Sequence, residues 1–402
     1  MFFYLFYDIL SLITLLKRIE AYAAKNINFF QKETVLSISA ILAILSMFIV
    51  HPSGKYFSYI DFRTLSLLVC LMSIVAGLSE IGLFDYLAEK ILSRANSIKS
   101  IIVLLVLLCF FFSMIITNDV ALITFVPLAI IILKKMSEKQ KNYWILRTVV
   151  MQTIAANLGS MLTPIGNPQN LYLYARANMS ALALIRLMLP YSIAALVLLL
   201  VWIQIAAHRE PGSTTENHIS KLFSIHKTKA PNQTSLIGYL ILFLICLLVV
   251  AHIIDYRISF ILVIGYIFFK NWHLFKKVDY SLLLTFTALF IFIGNLKCIP
   301  QFNHFLISII DRHETLTAIL SSQIISNVPA AILLSGFTKN YSALIIGTNI
   351  GGLGTLIASM ASLISFKYIA KEKTTLRGKY FMMFTIANIV FLILLLLCIN
   401  LL

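Results

Sequence analysis

The chain alternates long apolar runs with short polar segments. A transmembrane helix needs about 20 consecutive apolar residues. The pattern therefore predicts an all-α polytopic membrane protein with about ten transmembrane helices. The apolar runs cover residues 1–16, 34–50, 64–84, 99–133, 146–175, 181–206, 235–254, 258–269, 280–296, 301–338, 341–366 and 380–402.

Two of these runs are interrupted in the middle by polar residues. Thr117-Asn118-Asp119 interrupts the run 99–133, and Ser326-Asn327-Val328-Pro329 interrupts the run 301–338. A polar break at membrane depth is costly unless its backbone lines a cavity. We therefore predict that each run is a re-entrant hairpin, which enters and leaves the membrane on one side.

Composition and charge agree with a membrane protein. The chain is 60% hydrophobic and 12% charged, with 32 basic and 16 acidic residues, which excludes a water-soluble domain. The basic residues form short clusters between apolar runs, so nucleic acid is not an expected partner. If both hairpins are re-entrant, 24 of the 32 basic residues lie on one side of the membrane. By the positive-inside rule this side is the cytoplasm, which predicts an inner-membrane protein with a cytoplasmic 207–234 loop.

An internal repeat relates the two halves of the chain. Residues 157–171 align with residues 349–363 at a shift of 192, with five identical positions. Each stretch follows a hairpin break, and the predicted topology gives the two halves opposite orientations. Two inverted repeats with interrupted helices are typical of secondary transporters.

The repeat predicts five segments. Residues 1–98 form scaffold helices and an interfacial helix, and 99–206 form the first half of a transport domain (hairpin, broken helix, helix). Residues 207–234 are a linker, 235–300 are further scaffold helices, and 301–402 are the second half of the transport domain.

The breaks have the composition of interrupted helices. In the first break, Pro164 lacks a backbone donor and Gly166 permits unusual torsions. Gly351 and Gly354 give the second break the same freedom. Exposed N–H groups at a half-helix start suit an anion, and exposed carbonyls at a half-helix end suit a cation such as Na⁺.

The hairpin tips carry the candidate chemistry. The amides of Asn118 and Asn327 can each donate and accept, so they could bridge an oxyanion and a cation; the alternative is that they only form turns. Asp119 is an intramembrane carboxylate that could hold Na⁺ or carry a proton, or could only cap the returning helix. Val328 takes its place in the second tip.

These motifs resemble those of the ion transporter superfamily, which includes divalent anion/sodium symporters, citrate transporters, arsenite permeases and a class of Na⁺/H⁺ antiporters. The resemblance covers roughly residues 34–400. It implies a homodimer with an elevator-type motion, in which the substrate lies between the two asparagine tips, and each tip and its break form a cation site. The acidic first tip is similar to the arsenite-permease and antiporter branch.

The sequence thus predicts a secondary active transporter of a small anion or oxyanion, coupled to Na⁺ or H⁺ and without any other cofactor or catalytic residues. The alternatives are a Na⁺/H⁺ antiporter without such a substrate and, more remotely, a membrane-embedded enzyme. The residues expected to bind substrate are Asn118, Thr163, Pro164, Asn167, Asn327 and Thr355. The residues expected to couple the cation or proton are Thr117, Asp119, Gly159, Gly166, Ser326, Gly351 and Gly354.

Overall fold

The computed structural model describes residues 33–210, 230–372 and 376–401. The predicted span 1–16 and most of the predicted 207–234 linker lie outside these residues. Within the described residues the structure is entirely helical, without strands. The described residues divide into two compact units, one formed by residues 33–60 and 279–298 and the other by the described parts of 61–278 and 299–401.

In the smaller unit, two helices pack along each other. Its described helices are α1 (Thr34–Ile49), the short α2 (Tyr56–Tyr59) and α12 (Tyr280–Lys297). Asn295 on α12 donates from Nδ2 to Ser46 Oγ and to Tyr56 Oη, both at 2.9 Å. Its buried amide therefore fixes the register of α12 against α1.

Side-chain N-caps start two of the first helices of the larger unit. Asp61 caps α3 by accepting from the Thr64 amide at 3.0 Å, and Ser97 caps α5 in a reciprocal capping box with Ser100. The first helices are α3 (Phe62–Glu80), α4 (Leu83–Leu92), α5 (Ile98–Ile116), α6 (Asn118–Lys134), α7 (Glu138–Ser160), α8 (Pro168–Ala177), α9 (Ala181–His208), α10 (Gln233–Val250) and α11 (Tyr256–Asn271), which continues as a 3₁₀ turn (Trp272–Lys277).

The rest of this unit repeats the order of its first part. It contains α13 (Pro300–Ile310), α14 (Glu314–Ile325), α15 (Asn327–Leu334), α16 (Tyr341–Ile350), α17 (Met360–Glu372) and α18 (Arg377–Leu401). In both parts a short helix precedes two helices that pack against each other, and an interrupted helix and a long final helix follow.

Seven helices of the described residues are long and apolar enough to cross a membrane, so the chain is a polytopic membrane protein. Six of them match predicted spans, namely α3, α9, α10, α11 with its 3₁₀ turn, α12 and α18. The seventh is α5, the first arm of the first predicted hairpin. Its 19 residues are long enough to cross the membrane, so the re-entrant course of this hairpin stays a prediction.

The second predicted hairpin is shorter than the apolar run suggests. The run 301–338 includes the separate helix α13, and the hairpin itself consists of α14 and α15. A polar turn separates α13 from the hairpin, and within it Arg312 has a φ of 65°. A positive φ is incompatible with a right-handed helix, so the chain cannot continue α13 through this residue. Such a φ is also uncommon for a bulky side chain.

Candidate functional site

The two hairpin tips have the same backbone geometry. Thr117 and Ser326 both have φ 74° and ψ 153°, and α6 and α15 begin at the next residue of each tip. The backbone amide of Asn118 donates to the carbonyl of Gly166 at 3.1 Å, and that of Asn327 donates to the carbonyl of Ala358 at 2.9 Å. Each hairpin tip is thereby attached to the break of the following interrupted helix.

The break attaches to its hairpin a second time through a threonine. Thr163 donates its hydroxyl to the carbonyl of Met114, and Thr355 donates its hydroxyl to the carbonyl of Gln323 at 3.1 Å. Both acceptors lie three residues before their hairpin tip. The two threonines predicted to bind substrate therefore hold the hairpins with their hydroxyl hydrogens, so only oxygen lone pairs remain for a ligand. The Thr355 oxygen also accepts from the backbone amide of Ala358 at 3.2 Å.

Close backbone packing explains the glycines at the helix ends. A Cβ on Gly159 would lie 2.1 Å from the carbonyl oxygen of Phe110, and a Cβ on Gly351 would lie 2.9 Å from Cα of Ile319. Gly166 also leaves no room, because its Cβ would lie 2.0 Å from the carbonyl oxygen of Ser160. Gly159 and Gly351 therefore allow the hairpin arms to pack closely on the interrupted helices, and Gly166 allows the first break to fold tightly on itself.

The interruptions expose the ends of half-helices at this place. The helix α7 ends at Ser160 and α8 begins at Pro168, with Asn167 as its N-cap. The helix α16 ends at Ile350 and α17 begins at Met360. Free N–H groups at the helix starts favour an anion, and free carbonyls at the helix ends favour a cation. Pro164 is buried in the first break.

Asn157 joins the first interrupted helix to the second. Its Oδ1 accepts from the Nδ2 of Asn118 at 3.1 Å and from the hydroxyl of Ser359 at 3.0 Å. Its own Nδ2 donates to the hydroxyl of Ser362 at 3.5 Å. One buried amide thus connects the first hairpin tip to the start of α17.

Asn349 makes the corresponding connection in the opposite direction. Its Oδ1 accepts from the Nδ2 of Asn167 at 2.9 Å, and its Nδ2 donates to the Oδ1 of Asn170 at 2.6 Å. At the shift of 192, Asn157 corresponds to Asn349, and Ser359 and Ser362 correspond to Asn167 and Asn170. Asn157 therefore binds Ser359 and Ser362 in the second repeat, and Asn349 binds the equivalent positions, Asn167 and Asn170, in the first.

Asp119 lies in the first turn of α6 and is half-buried. Its backbone amide donates to Oδ1 of the preceding Asn118 at 3.0 Å. A carboxylate in the first turn of a helix is stabilised by the helix dipole. The corresponding Val328 in the second hairpin is apolar and buried, so an acid at the tip is a feature of the first hairpin.

The structure joins most of the predicted site residues in one hydrogen-bonded region, and it also assigns partners that the sequence-based set lacked. The added residues are Asn157, Asn170, Gln323, Asn349, Ser359 and Ser362. The sequence alone could have indicated Asn157 and Asn349, because they are an identical pair at the start of the aligned stretches. No described group of three or more His, Cys, Asp and Glu side chains could hold a metal ion.

The helical architecture, the candidate membrane spans and the paired interrupted helices define a polytopic membrane protein of the transporter class. The chain belongs to the CitMHS family, described as citrate transporter, whose family profile matches residues 30–341.

Several known proteins are similar to this chain. An uncharacterized transporter of Methanocaldococcus jannaschii is 34% identical over 332 residues, which is 83% of this chain and 87% of that protein. The inner membrane protein YbiR of Escherichia coli is 32% identical over 349 residues, covering 85% and 87% of the two chains. The P protein of Homo sapiens is 29% identical over 153 residues, 37% of this chain and 18% of that protein.

Proposed function

We propose that this protein moves a small anion or oxyanion across the inner membrane, coupled to Na⁺ or H⁺, by alternating access. The observation that carries the proposal is the reciprocal link through Asn157 and Asn349. It links the first hairpin tip and the two helix breaks, and the bond from the Asn327 amide to Ala358 attaches the second tip to the same polar region. Half-helix ends in such a region can replace the water shell of an ion.

The donors at this region suit an anion. The helices α6, α8 and α15 start here, so their dipoles place partial positive charge at this region, while the first amides of α6 and α15 donate to the breaks. The amides of Asn118 and Asn327 add side chains that can donate to an oxyanion. Asp119 would bind the Na⁺ or proton that moves with the anion, because carboxylates within membrane segments commonly belong to ion pathways and proton relays.

The attachments between hairpins and breaks support a division of the chain into moving and fixed parts. Residues 99–206 and 301–402 would form the transport domain and move together, and residues 1–98 and 235–300 would form the scaffold. We propose that the transport domain moves as an elevator within a homodimer, with residues 207–234 in the cytoplasm. Cross-linking in native membranes tests the dimer.

The test of transport is uptake into proteoliposomes containing the purified protein. Radiolabelled citrate, succinate, sulfate, phosphate and arsenite are offered with an imposed Na⁺ or pH gradient. We expect uptake of at least one of them that requires the gradient and is lost or uncoupled in Asp119→Asn. The matched control is Asp85→Asn, an aspartate in the first turn of α4, which should keep coupled uptake. Flux at channel rates that ignores every gradient would refute the coupling.

A Na⁺/H⁺ antiporter is the second candidate, and the acid at one hairpin tip is the observation that favours it. A single carboxylate that binds Na⁺ and H⁺ in turn is sufficient for exchange. Vesicles without any added anion distinguish the two functions. Dissipation of a pH gradient by Na⁺ alone would support the antiporter, whereas a requirement for one of the anions would support the anion transporter.

A further inference from the structure

The side chain of Gln323 fills the second helix break. Gln323 lies on α14, three residues before the tip residue Ser326. Its Nε2 donates to the carbonyls of Gly351 and Leu353 at 2.8 and 2.9 Å, and its Oε1 accepts from the amide of Thr355 at 3.0 Å. The carboxamide therefore contacts the backbone of the break on both its donor and its acceptor sides.

The break is shaped around this carboxamide. Gly354 has a φ of 106°, and a Cβ at this position would lie 2.2 Å from the Oε1 of Gln323. Glycine is needed here both for the torsion and for the space. The loop and the side chain thus fit each other closely.

The first break differs at both of these positions. Met114 corresponds to Gln323 in the first hairpin, and Leu162 corresponds to Gly354 in the first break. A thioether has no hydrogen to donate to a carbonyl. Here the carbonyls of Met161 and Thr163 accept from Asn170, which belongs to the following helix and not to the hairpin. At the position of Gln323, the first hairpin therefore has no side-chain N–H group to donate to the carbonyls of its break.

The carbonyl groups at the end of an interrupted helix are the groups that bind Na⁺ in transporters. In the second break an N–H₂ group with partial positive charge already binds two of them, and it does not leave with the substrate. The first break is the one with an acid at its hairpin tip, Asp119, where the second tip has Val328. An amide N–H₂ group also binds two carbonyls of the first break, through Asn170. The breaks therefore differ in that Gln323 binds the carbonyl of Gly351, at the very end of the half-helix, and that only the first hairpin tip carries an acid.

We propose that the Gln323 carboxamide replaces a cation in the second break, so that the protein binds one coupling cation per chain, at the first break with Asp119. This inference rests on the proposed cation-coupled transport. It makes Gln323 a residue that determines the stoichiometry of coupling. It also implies that the second hairpin stays attached to its break at any cation concentration.

Equilibrium binding of radioactive sodium to the purified protein at pH 8 counts the sites. We expect one Na⁺ per chain in the wild type, none in Asp119→Asn, and two in Gln323→Glu, because a carboxylate among the Gly351 and Leu353 carbonyls needs a cation. The matched control Gln301→Glu, at an exposed position of α13, should leave the count at one. If the wild type binds no Na⁺, the proton is counted instead. The number of protons moved per anion taken up should then be one in the wild type and none in Asp119→Asn.

Two Na⁺ per wild-type chain would overturn the inference. A Na⁺ site that survives Asp119→Asn and disappears in Gln323→Met would overturn it as well, because Gln323 would then help to bind a cation. The wild-type and Asp119→Asn counts decide the matter even if a Gln323 variant does not fold. Transport that ignores every cation gradient, with one cation bound per chain, would refute the proposed coupling but not the count.

Discussion

Thr117 and Ser326 share the torsions φ 74° and ψ 153° at the two hairpin tips, although neither residue is glycine. This region of backbone conformation is almost exclusive to glycine and costs other residues about 1–3 kcal/mol. The same strained geometry in both tips directs the next backbone amide to a carbonyl of the break. The strain is therefore part of the attachment that forms the site.

Replacing Thr117 with glycine should relieve this strain. The gain is reduced by the greater freedom of glycine in the unfolded chain, so we expect a net stabilisation of about 1 kcal/mol. The control is Thr124→Gly in the middle of α6, which should destabilise the protein by about 1 kcal/mol. Thermal unfolding in detergent measures both. Equal destabilisation by the two variants would show that Thr117 is not strained.

Removal of the Asn157 amide should separate the two interrupted helices. Asn157→Ala leaves the buried partners Asn118 and Ser359 with fewer hydrogen bonds, at a cost of about 1–3 kcal/mol. We expect loss of anion uptake together with a fall in thermal stability. The control is Asn388→Ala on α18, because the Asn388 amide donates to Phe384 one turn back in its own helix.

A double-mutant cycle isolates the bond between Asn118 and Asn157. Hydrogen bonds between membrane helices contribute about 0.6 kcal/mol on average. We expect the Asn118→Ala and Asn157→Ala effects to be non-additive by at least this amount. Strict additivity in unfolding experiments would contradict a direct bond.

Much of the fold follows from the one-dimensional pattern. Apolar runs determine where helices lie, and polar interruptions at Thr117 and Ser326 mark the two hairpin tips, because lipid offers no partner to a broken backbone. The separate helix α13 was missed, since its apolar residues merge with the next run. Its boundary depends on a turn at Arg312, whose positive φ is not typical of arginine.

The contacts of the site depend on distances that the sequence does not contain. The alignment identified Asn157 and Asn349 as equivalent, but their partners belong to the opposite repeat. Gln323 was missed because its carbonyl partners lie about thirty residues later and become neighbours only when hairpin and break pack together. The sequence shows that the Gln323 amide can form hydrogen bonds, but only the tertiary structure determines which groups it binds.

Gly159 should not tolerate even one additional carbon atom. Alanine would place its Cβ 2.1 Å from the carbonyl oxygen of Phe110, which belongs to the backbone of α5 and is not free to rotate away. We expect Gly159→Ala to reduce the yield of folded protein severely and to abolish uptake. Gly265→Ala on α11 is the control, because nothing lies within 4 Å of its Cβ position. Normal uptake by Gly159→Ala would show that α5 and α7 are not packed this closely.

His252 should make the stability of the protein depend on pH. It lies in the loop after α10 and lines a cavity of about 400 Å³ together with Arg63 and Asp255. His252 is exposed, but partial loss of its solvent lowers its pKa below the usual value of 6.5, and the positive charge of Arg63 lowers it further. The folded protein therefore binds this proton less readily than the unfolded chain, so the contribution to stability is complete above pH 6.5 and is lost as the pH falls.

We expect His252→Asn to flatten the decline in thermal stability between pH 7 and pH 5, relative to the wild type. Asparagine suits this position because His252 has a φ of 62°. Arg63→Gln should give an intermediate profile, since it removes the charge but keeps a donor for the Val249 carbonyl, which Arg63 binds at 2.9 Å. Thermal unfolding at a series of pH values measures all three proteins. Parallel curves for His252→Asn and the wild type would mean that His252 has the same pKa in the folded and unfolded states.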